Sequence, residues 1–305
     1  MAENCVVLLI GFGGPTSHDE IRPFLRSVLE GVAVPPQRLE AVVKHYEIAG
    51  GVSHYNSIAY EQKKALESWF KKKCIQLPVF LSFHHSQPDF QEFFQKIKNQ
   101  KVDRIIGVIL SSFRCQATFE KYQKAIEDAQ TKANSKIKIV YADAFYKNSL
   151  FSEAQCEKLQ ELLDTLSPDD QNKTQILFTA HSIPIAMAQQ SGYDRQFLET
   201  VERVGKNLKL KTVGIAYQSR SGRPGDAWLE PDISTAVRGL SKDKIRNIAV
   251  VPIGFLADHV EVIYDLDIEA KKMIEDAGFK YFRCGTLMDH PKFIELMGTL
   301  VKGML

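Results

Sequence analysis

The chain has 305 residues, 44% of them apolar and 25% charged, enough to bury one large core or two medium ones and unlike a disordered or fibrous composition. Thirty-nine Lys and Arg against 37 Asp and Glu leave a net charge of +2, too balanced for a nucleic-acid-binding surface. Five scattered cysteines (Cys5, Cys74, Cys115, Cys156 and Cys284) without a CxxC pair exclude a disulfide framework or thiolate metal cluster.

In chain order, VVLLIG at 6–11 is the first expected strand: it is apolar without alternation, as a strand covered on both faces requires. GFGGP at 11–15 is a tight turn, and a helix is expected from near Ser17, with Asp19 and Glu20 in its first turn. GFGGP is not GxGxxG, so no dinucleotide site is expected. KKALESWFKKK at 63–73 reads as a solvated amphipathic helix. PVFLSF (78–83), RIIGVILSS (104–112) and KIKIVYAD (136–143) are further strands, separated by helical stretches such as DFQEFFQKIKNQ.

The pattern then restarts. LFSEAQCEKLQELLDTL reads as a helix and SPDDQNK as a loop, followed by strands QILFTAHS (175–182), TVGIAYQS (212–219), IRNIAVVPIGF (245–255) and KYFRC (280–284). Strands alternating with helices predict an α/β chain with parallel sheets and crossover connections. The similar openings LLIGFGGP and LFTAHSIP predict two Rossmann-like open-sheet domains with a cleft between them. The expected domains are 1–148 and 149–289, the second carrying His181 and Glu261, with a last helix at 290–305 packing back on the first. The sequence contains no basic region ahead of VVLLIG, Glu3 interrupts the start, and no apolar run reaches ~18 residues. A cytoplasmic monomer with at most weak peripheral membrane contact is expected.

Two stretches carry chemistry. In FTAHSIP, 178–184, His181 closes an expected parallel strand that Pro184 prevents from continuing, at the carboxyl edge where open sheets bind ligands. In VVPIGFLADHVEVIYDLDIEAKKMIEDAG, 250–278, Glu261, Asp265 and Glu269 recur every four residues. On an α-helix they share a face, the outer two roughly 12 Å apart along the axis. Like charges so spaced repel by a few tenths of a kcal/mol per pair, which basic neighbours or a passing cation would offset. The plainer readings are a hydrogen-bonded histidine and a solvated helix face. Taken together, an imidazole and carboxylates on one sheet edge suit metal delivery coupled to deprotonation. No GxSxG or HExxH motif is present.

LLIGFGGP, AGGVSHYNSI (49–58), FTAHSIP, AYQSRSGRPGDAWLEPDI and PIGFLADHVEVIYDLDIEA together resemble the ferrochelatases over nearly the whole chain. The resemblance implies insertion of Fe(II) into a free-base porphyrin, protoporphyrin IX or coproporphyrin III, in heme biosynthesis. It implies His181 and Glu261 as the catalytic and metal-binding pair, with Asp265 and Glu269 passing iron or protons. Ile10, Phe12 and Trp228 would wall the porphyrin, Arg22, Arg26 and Arg114 would meet its propionates, and His85 would reach it. Phe12 stands where some members have a tyrosine, and a phenylalanine cannot ligate iron. SSFRCQATF at 111–119, His54 and Glu230 are further departures, and they bear on which porphyrin is used. Iron is a substrate, no resident cofactor is expected, and Cys284 alone cannot hold an iron–sulfur cluster. A cobalt or nickel chelatase for a sirohydrochlorin-like tetrapyrrole, or a porphyrin- or heme-binding protein without activity, are the alternatives.

Overall fold

The computed structural model describes residues 4–31, 35–211, 213–221 and 225–305. The first residue of the expected strand at 212–219, and Gly222, Arg223 and Pro224 of the AYQSRSGRPGDAWLEPDI segment, lie outside them. Eight strands are described: β1 Cys5–Gly11, β2 Val79–Phe83, β3 Arg104–Ile109, β4 Lys138–Tyr141, β5 Thr174–His181, β6 Val213–Gln218, β7 Asn247–Val251 and β8 Lys280–Arg283. They form two all-parallel four-stranded sheets, ordered β2-β1-β3-β4 and β6-β5-β7-β8. The second order is the first with four added to each strand number. The two halves therefore share one topology, as their openings suggested.

By internal packing the chain divides into two units. One comprises Met1–Ser111, Gln116–Ala144 and Met288–Leu305, and the other Ser112–Cys115 and Phe145–Leu287. The strand expected over 104–112 stops at Ile109, and the Ser112–Cys115 stretch beyond it packs with the second unit.

Each core follows from the pattern of its elements. In unit 1, Val7, Leu8, Leu9 and Ile10 are fully buried because β1 is a central strand. Helix Phe90–Ile97 presents Phe90, Phe93, Phe94 and Ile97 at i, i+3, i+4 and i+7, all buried on that sheet. Asp89 starts this helix by accepting the Glu92 amide at 2.8 Å. The last helix, Pro291–Lys302, packs on helix Tyr55–Lys72, and Gly298 permits the close approach: a Cβ there would fall 2.4 Å from the Trp69 ring. In unit 2, Leu177, Ile248, Val250, Val262, Leu266 and Ile274 form the corresponding core. No helix among the described residues is long and apolar enough to cross a membrane.

The helix that carries Glu261, Asp265 and Glu269 differs in kind from the α-helix expected. Val262–Ala270 is a π-helix, and α-helical winding resumes at Lys271–Asp276. With i→i+5 bonding each turn holds more than four residues, so a four-residue spacing still keeps one face. The winding is wider and shorter, which brings Glu261 and Glu269 closer along the axis than the α-helical estimate.

Candidate active site

In each sheet the chain leaves its first strand to one side and returns on the other. The carboxyl ends of β5 and β7 are thus a topological switch point, where open α/β sheets form ligand crevices. β5 ends there on His181. The chain beyond it is fastened: Ser182 N donates to Gln218 O at 2.7 Å, Leu229 N to Ile183 O at 3.0 Å, and Ser182 Oγ to Leu229 O at 2.9 Å. Trp228 is half-buried and bridges Pro184 in this zipper, so it belongs to the His181 loop. His181 Nδ1 lies 2.5 Å from the Ser182 carbonyl oxygen. A carbonyl can only accept, so Nδ1 carries the proton and Nε2 keeps its lone pair for a metal or a proton.

β7 delivers the second half of the site. Pro252 ends the strand, and the Phe255 ring then sits edge-on to both imidazoles, 6.2 Å from His181 and 4.5 Å from His259. His259 Nδ1 accepts the Glu261 amide at 3.2 Å. Burial holds His259 below the ordinary histidine range, against the pull of Glu261 and Asp258, and with a push from His181. Next along the π-helix, Asp265 is driven up to about 7 by burial and by Glu261, with Glu269 adding to the effect and a Ser219 hydroxyl bond opposing it. The Tyr264 hydroxyl bonds Glu269, which is exposed. Glu261, Asp265 and Glu269 are therefore electrostatically connected, and His259 joins them to His181, since it feels both His181 and Glu261. No three His, Cys, Asp or Glu side chains among the described residues converge into one metal-binding set. The arrangement can pass a cation or proton along its length but is not a closed cage.

Three participants here escaped the sequence reading. Ser219 aims its hydroxyl at Asp265 from a left-handed backbone (φ 61°), which an L-serine rarely adopts. Gln218 sits in register with His181, and its buried amide has neither nitrogen nor oxygen paired. Such a group costs about 1–3 kcal/mol unless a ligand or water satisfies it. Arg283, at the end of β8, bonds both Asp258 and Asp267. Its place at the carboxyl end of an expected strand was the available signal.

The remaining candidates belong mostly to unit 1. Phe12 follows β1, packing edge-on to His85 at 4.8 Å and Phe24 at 5.9 Å. A cavity of about 440 Å³ opens beside them, lined by Gly14, Phe24, Ser27, Asn56, His84 and His85 among others. His85 Nδ1 pairs with Ser27 Oγ at 2.8 Å, while its Nε2 is buried with no hydrogen-bond partner. One expectation is corrected. Ile10 is wholly inside the core, since the central strand is covered on both faces, and it cannot wall a ligand. Arg22 is exposed and forks onto Glu40, with Nη2 to Oε2 at 2.9 Å. Arg26 is exposed on helix Ile21–Val28. Arg114 is exposed in unit 2, its backbone amide and carbonyl both tied to the Gln196 side chain at 2.8 and 3.1 Å.

Burial pushes His84 down to about 4 and His85 to about 3, with Lys121 contributing to both and His84 adding to His85. An unfolded histidine titrates near 6.5. Between these values the unfolded chain binds more protons, so stability is complete above about pH 6.5 and drains as pH falls toward 4 and then 3. The limiting slope is about 1.4 kcal/mol per pH unit per histidine. Urea midpoints at pH 7.5, 6 and 5 are expected to fall steadily, and a His84→Gln/His85→Gln double variant to show a flatter profile. Parallel profiles would remove the two histidines as the cause.

The Ferrochelatase family model matches residues 5–305. A ferrochelatase of Rhodopirellula baltica is 32% identical over 300 residues, covering 98% of this chain and 85% of its own. A coproporphyrin III ferrochelatase of Mycobacterium bovis is 33% identical over 299 residues, covering 97% and 84%. Among solved structures, the cobalt-bound sirohydrochlorin chelatase SirB of Bacillus subtilis subspecies spizizenii superposes with a TM-score of 0.59 at 12% identity, covering 98% and 94%, a likeness of fold alone. The family model matches residues 5–305 and relatives about a third identical are covered over most of their length, so the chain belongs to the ferrochelatase family, enzymes that insert a metal into a porphyrin.

Proposed function

We propose that this enzyme inserts Fe(II) into a free-base porphyrin with release of two protons. The supporting observation is His181, whose Nδ1 proton is held by the Ser182 carbonyl so that Nε2 presents a lone pair, with His259 coupling it to Glu261. A porphyrin must lose two N–H protons as the metal enters. His181 Nε2 takes one, and Asp265, poised to gain or lose a proton near pH 7, relays another outward through Glu269. Glu261 pairs with His181 around the incoming metal. The unpaired Gln218 amide marks the same edge as a place that a ligand completes. Phe12, His85 and Trp228 remain porphyrin-contact candidates, and Arg26 and Arg114 propionate partners. The reaction needs no resident cofactor, and the five free thiols suit a reducing cytoplasm, with the enzyme acting as a monomer.

The test is anaerobic Fe(II) insertion followed by absorbance, with coproporphyrin III and protoporphyrin IX offered in parallel. Coproporphyrin III comes first because relatives carry that name. Insertion into one of them supports the reading, and binding of both without insertion of any metal overturns it. Asp265→Asn and Glu269→Gln are expected to raise the KM for iron several-fold while porphyrin affinity stays at its wild-type value. Loss of porphyrin binding instead would mean that the line contacts the macrocycle and does not carry the metal.

A further inference from the structure

The five carboxylates between Asp258 and Glu269 divide into two sets. Glu261, Asp265 and Glu269 form the line beside His181. Asp258 and Asp267 point elsewhere, onto one guanidinium. Arg283 Nε donates to Asp267 Oδ1 at 2.6 Å, and its Nη1 and Nη2 donate to Asp258 Oδ1 and Oδ2 at 3.0 and 3.2 Å. The contact is well enclosed, with the Arg283 side chain 17% exposed. Its surroundings support it: Thr286 N donates to Asp258 at 3.3 Å, and the Tyr281 hydroxyl to Asp267 at 3.4 Å. Both carboxylates hold the guanidinium charged despite its burial.

The two anchor points bracket Glu261 and Asp265. Asp258 lies three residues before Glu261, and Asp267 two residues after Asp265. The stretch between them is π-helical for most of its length. Long π-helical runs are rare, so tertiary contacts must hold this one. Arg283 is fixed at the end of β8, in register with Val250 of β7. It thereby ties the start and the middle of the segment to the sheet whose edge carries His181. Lysine cannot do the same, because one ammonium lacks the planar fork that engages two carboxylates from three nitrogens.

We propose that Arg283 is a positioning residue for metal insertion: by clamping Asp258 and Asp267 it sets Glu261 and Asp265 at their working distance from His181. It touches neither the metal nor the porphyrin. This rests on the function proposed above, in which His181 and Glu261 handle the metal.

The experiment compares wild type, Arg283→Lys and Arg283→Met. Thermal melts, porphyrin affinity by fluorescence quenching, and anaerobic Fe(II) insertion kinetics are measured, the last well below the lowest melting temperature. The expected result is wild-type porphyrin affinity in all three, with kcat/KM for iron reduced about 10-fold to 100-fold in both variants, as a misplacement of order 1 Å produces. Arg283→Lys should recover much of the melting temperature lost in Arg283→Met but little of the iron kinetics. If iron kinetics per folded molecule are unchanged in both variants, or recover in Arg283→Lys in step with stability, the clamp is structural only and the proposal is overturned. A wild-type protein that inserts no metal overturns the function reading, and this inference with it. An active wild type with unaffected variants overturns this inference alone.

Discussion

His181→Ala is expected to lower Fe(II) insertion by about 10²–10⁴-fold, the span a positioned acid–base group contributes, while porphyrin still binds. The fold should survive. His181 is half-buried at a strand end, and the bonds that close the following loop come from Ser182, Ile183, Ile185 and the 227–229 segment, not from the imidazole. Among the described residues the ring's bond is Nδ1 to the Ser182 carbonyl. That bond permits a second variant to separate chemistry from architecture. In His181→Asn the side-chain amide can still donate to Ser182 O but has no basic nitrogen. Asn is therefore expected to be as inactive as Ala, with a melting temperature nearer wild type. If Asn instead restores insertion, the histidine acts by holding the loop and another base takes the proton. Wild-type rates in both variants would remove His181 from the reaction.

How far the sequence disclosed this site depended on the kind of information each residue needs. The strands were legible because VVLLIG, RIIGVI and QILF are apolar without alternation, and only a doubly covered parallel strand needs that. His181 was legible for the same reason: a polar residue at the end of such a run stands at the edge. The four-residue spacing of Glu261, Asp265 and Glu269 was visible, but not the winding that carries it. A spacing of four lies between the α turn and the wider π turn, so it fits either, and only tertiary packing decides. Ile10 was misplaced because an apolar residue reads the same whether it lines a ligand or fills a core. The pairing of Arg22 was not legible because its partner, Glu40, lies eighteen residues away on another helix. Ser219 fell within the AYQSRSGRPGDAWLEPDI segment, but its aim at Asp265 gave no signal, since a positive φ at a serine is imposed by its surroundings. Arg283 was legible as a strand end but not as a clamp, because its two acceptors come from a loop and a π-helix that meet only in the folded unit.

Gly254→Ala should be the most damaging single methyl that can be added near the site. Gly254 follows β7 and donates its amide to Thr179 O at 3.1 Å, which lays the loop directly on the end of β5. A Cβ at this position would lie 2.6 Å from Ala180 Cα, 2.9 Å from Ala180 Cβ and 3.4 Å from His181 N. The nearest atom is backbone, so no side-chain rotation relieves the clash. Either the loop lifts off Thr179 or the last residues of β5 move, and a substitution of this type typically costs about 1–3 kcal/mol. Function should suffer more than stability. Ala180 and His181 are consecutive, so a shift of order 0.5–1 Å in one displaces the other, and misplacement on that scale costs about 100-fold in rate. Gly239→Ala is the matched control, because a Cβ there meets nothing within 4 Å. Melting temperature and insertion kinetics of the two variants should diverge sharply, with Gly239→Ala close to wild type. A Gly254→Ala/Ala180→Gly double variant tests the cause. It removes the contact at 2.9 Å but leaves the closer one to Ala180 Cα, so it should recover only part of the stability and little of the rate. Full recovery would mean that the two methyl groups, and not the approach of the two backbones, limit this edge of the sheet.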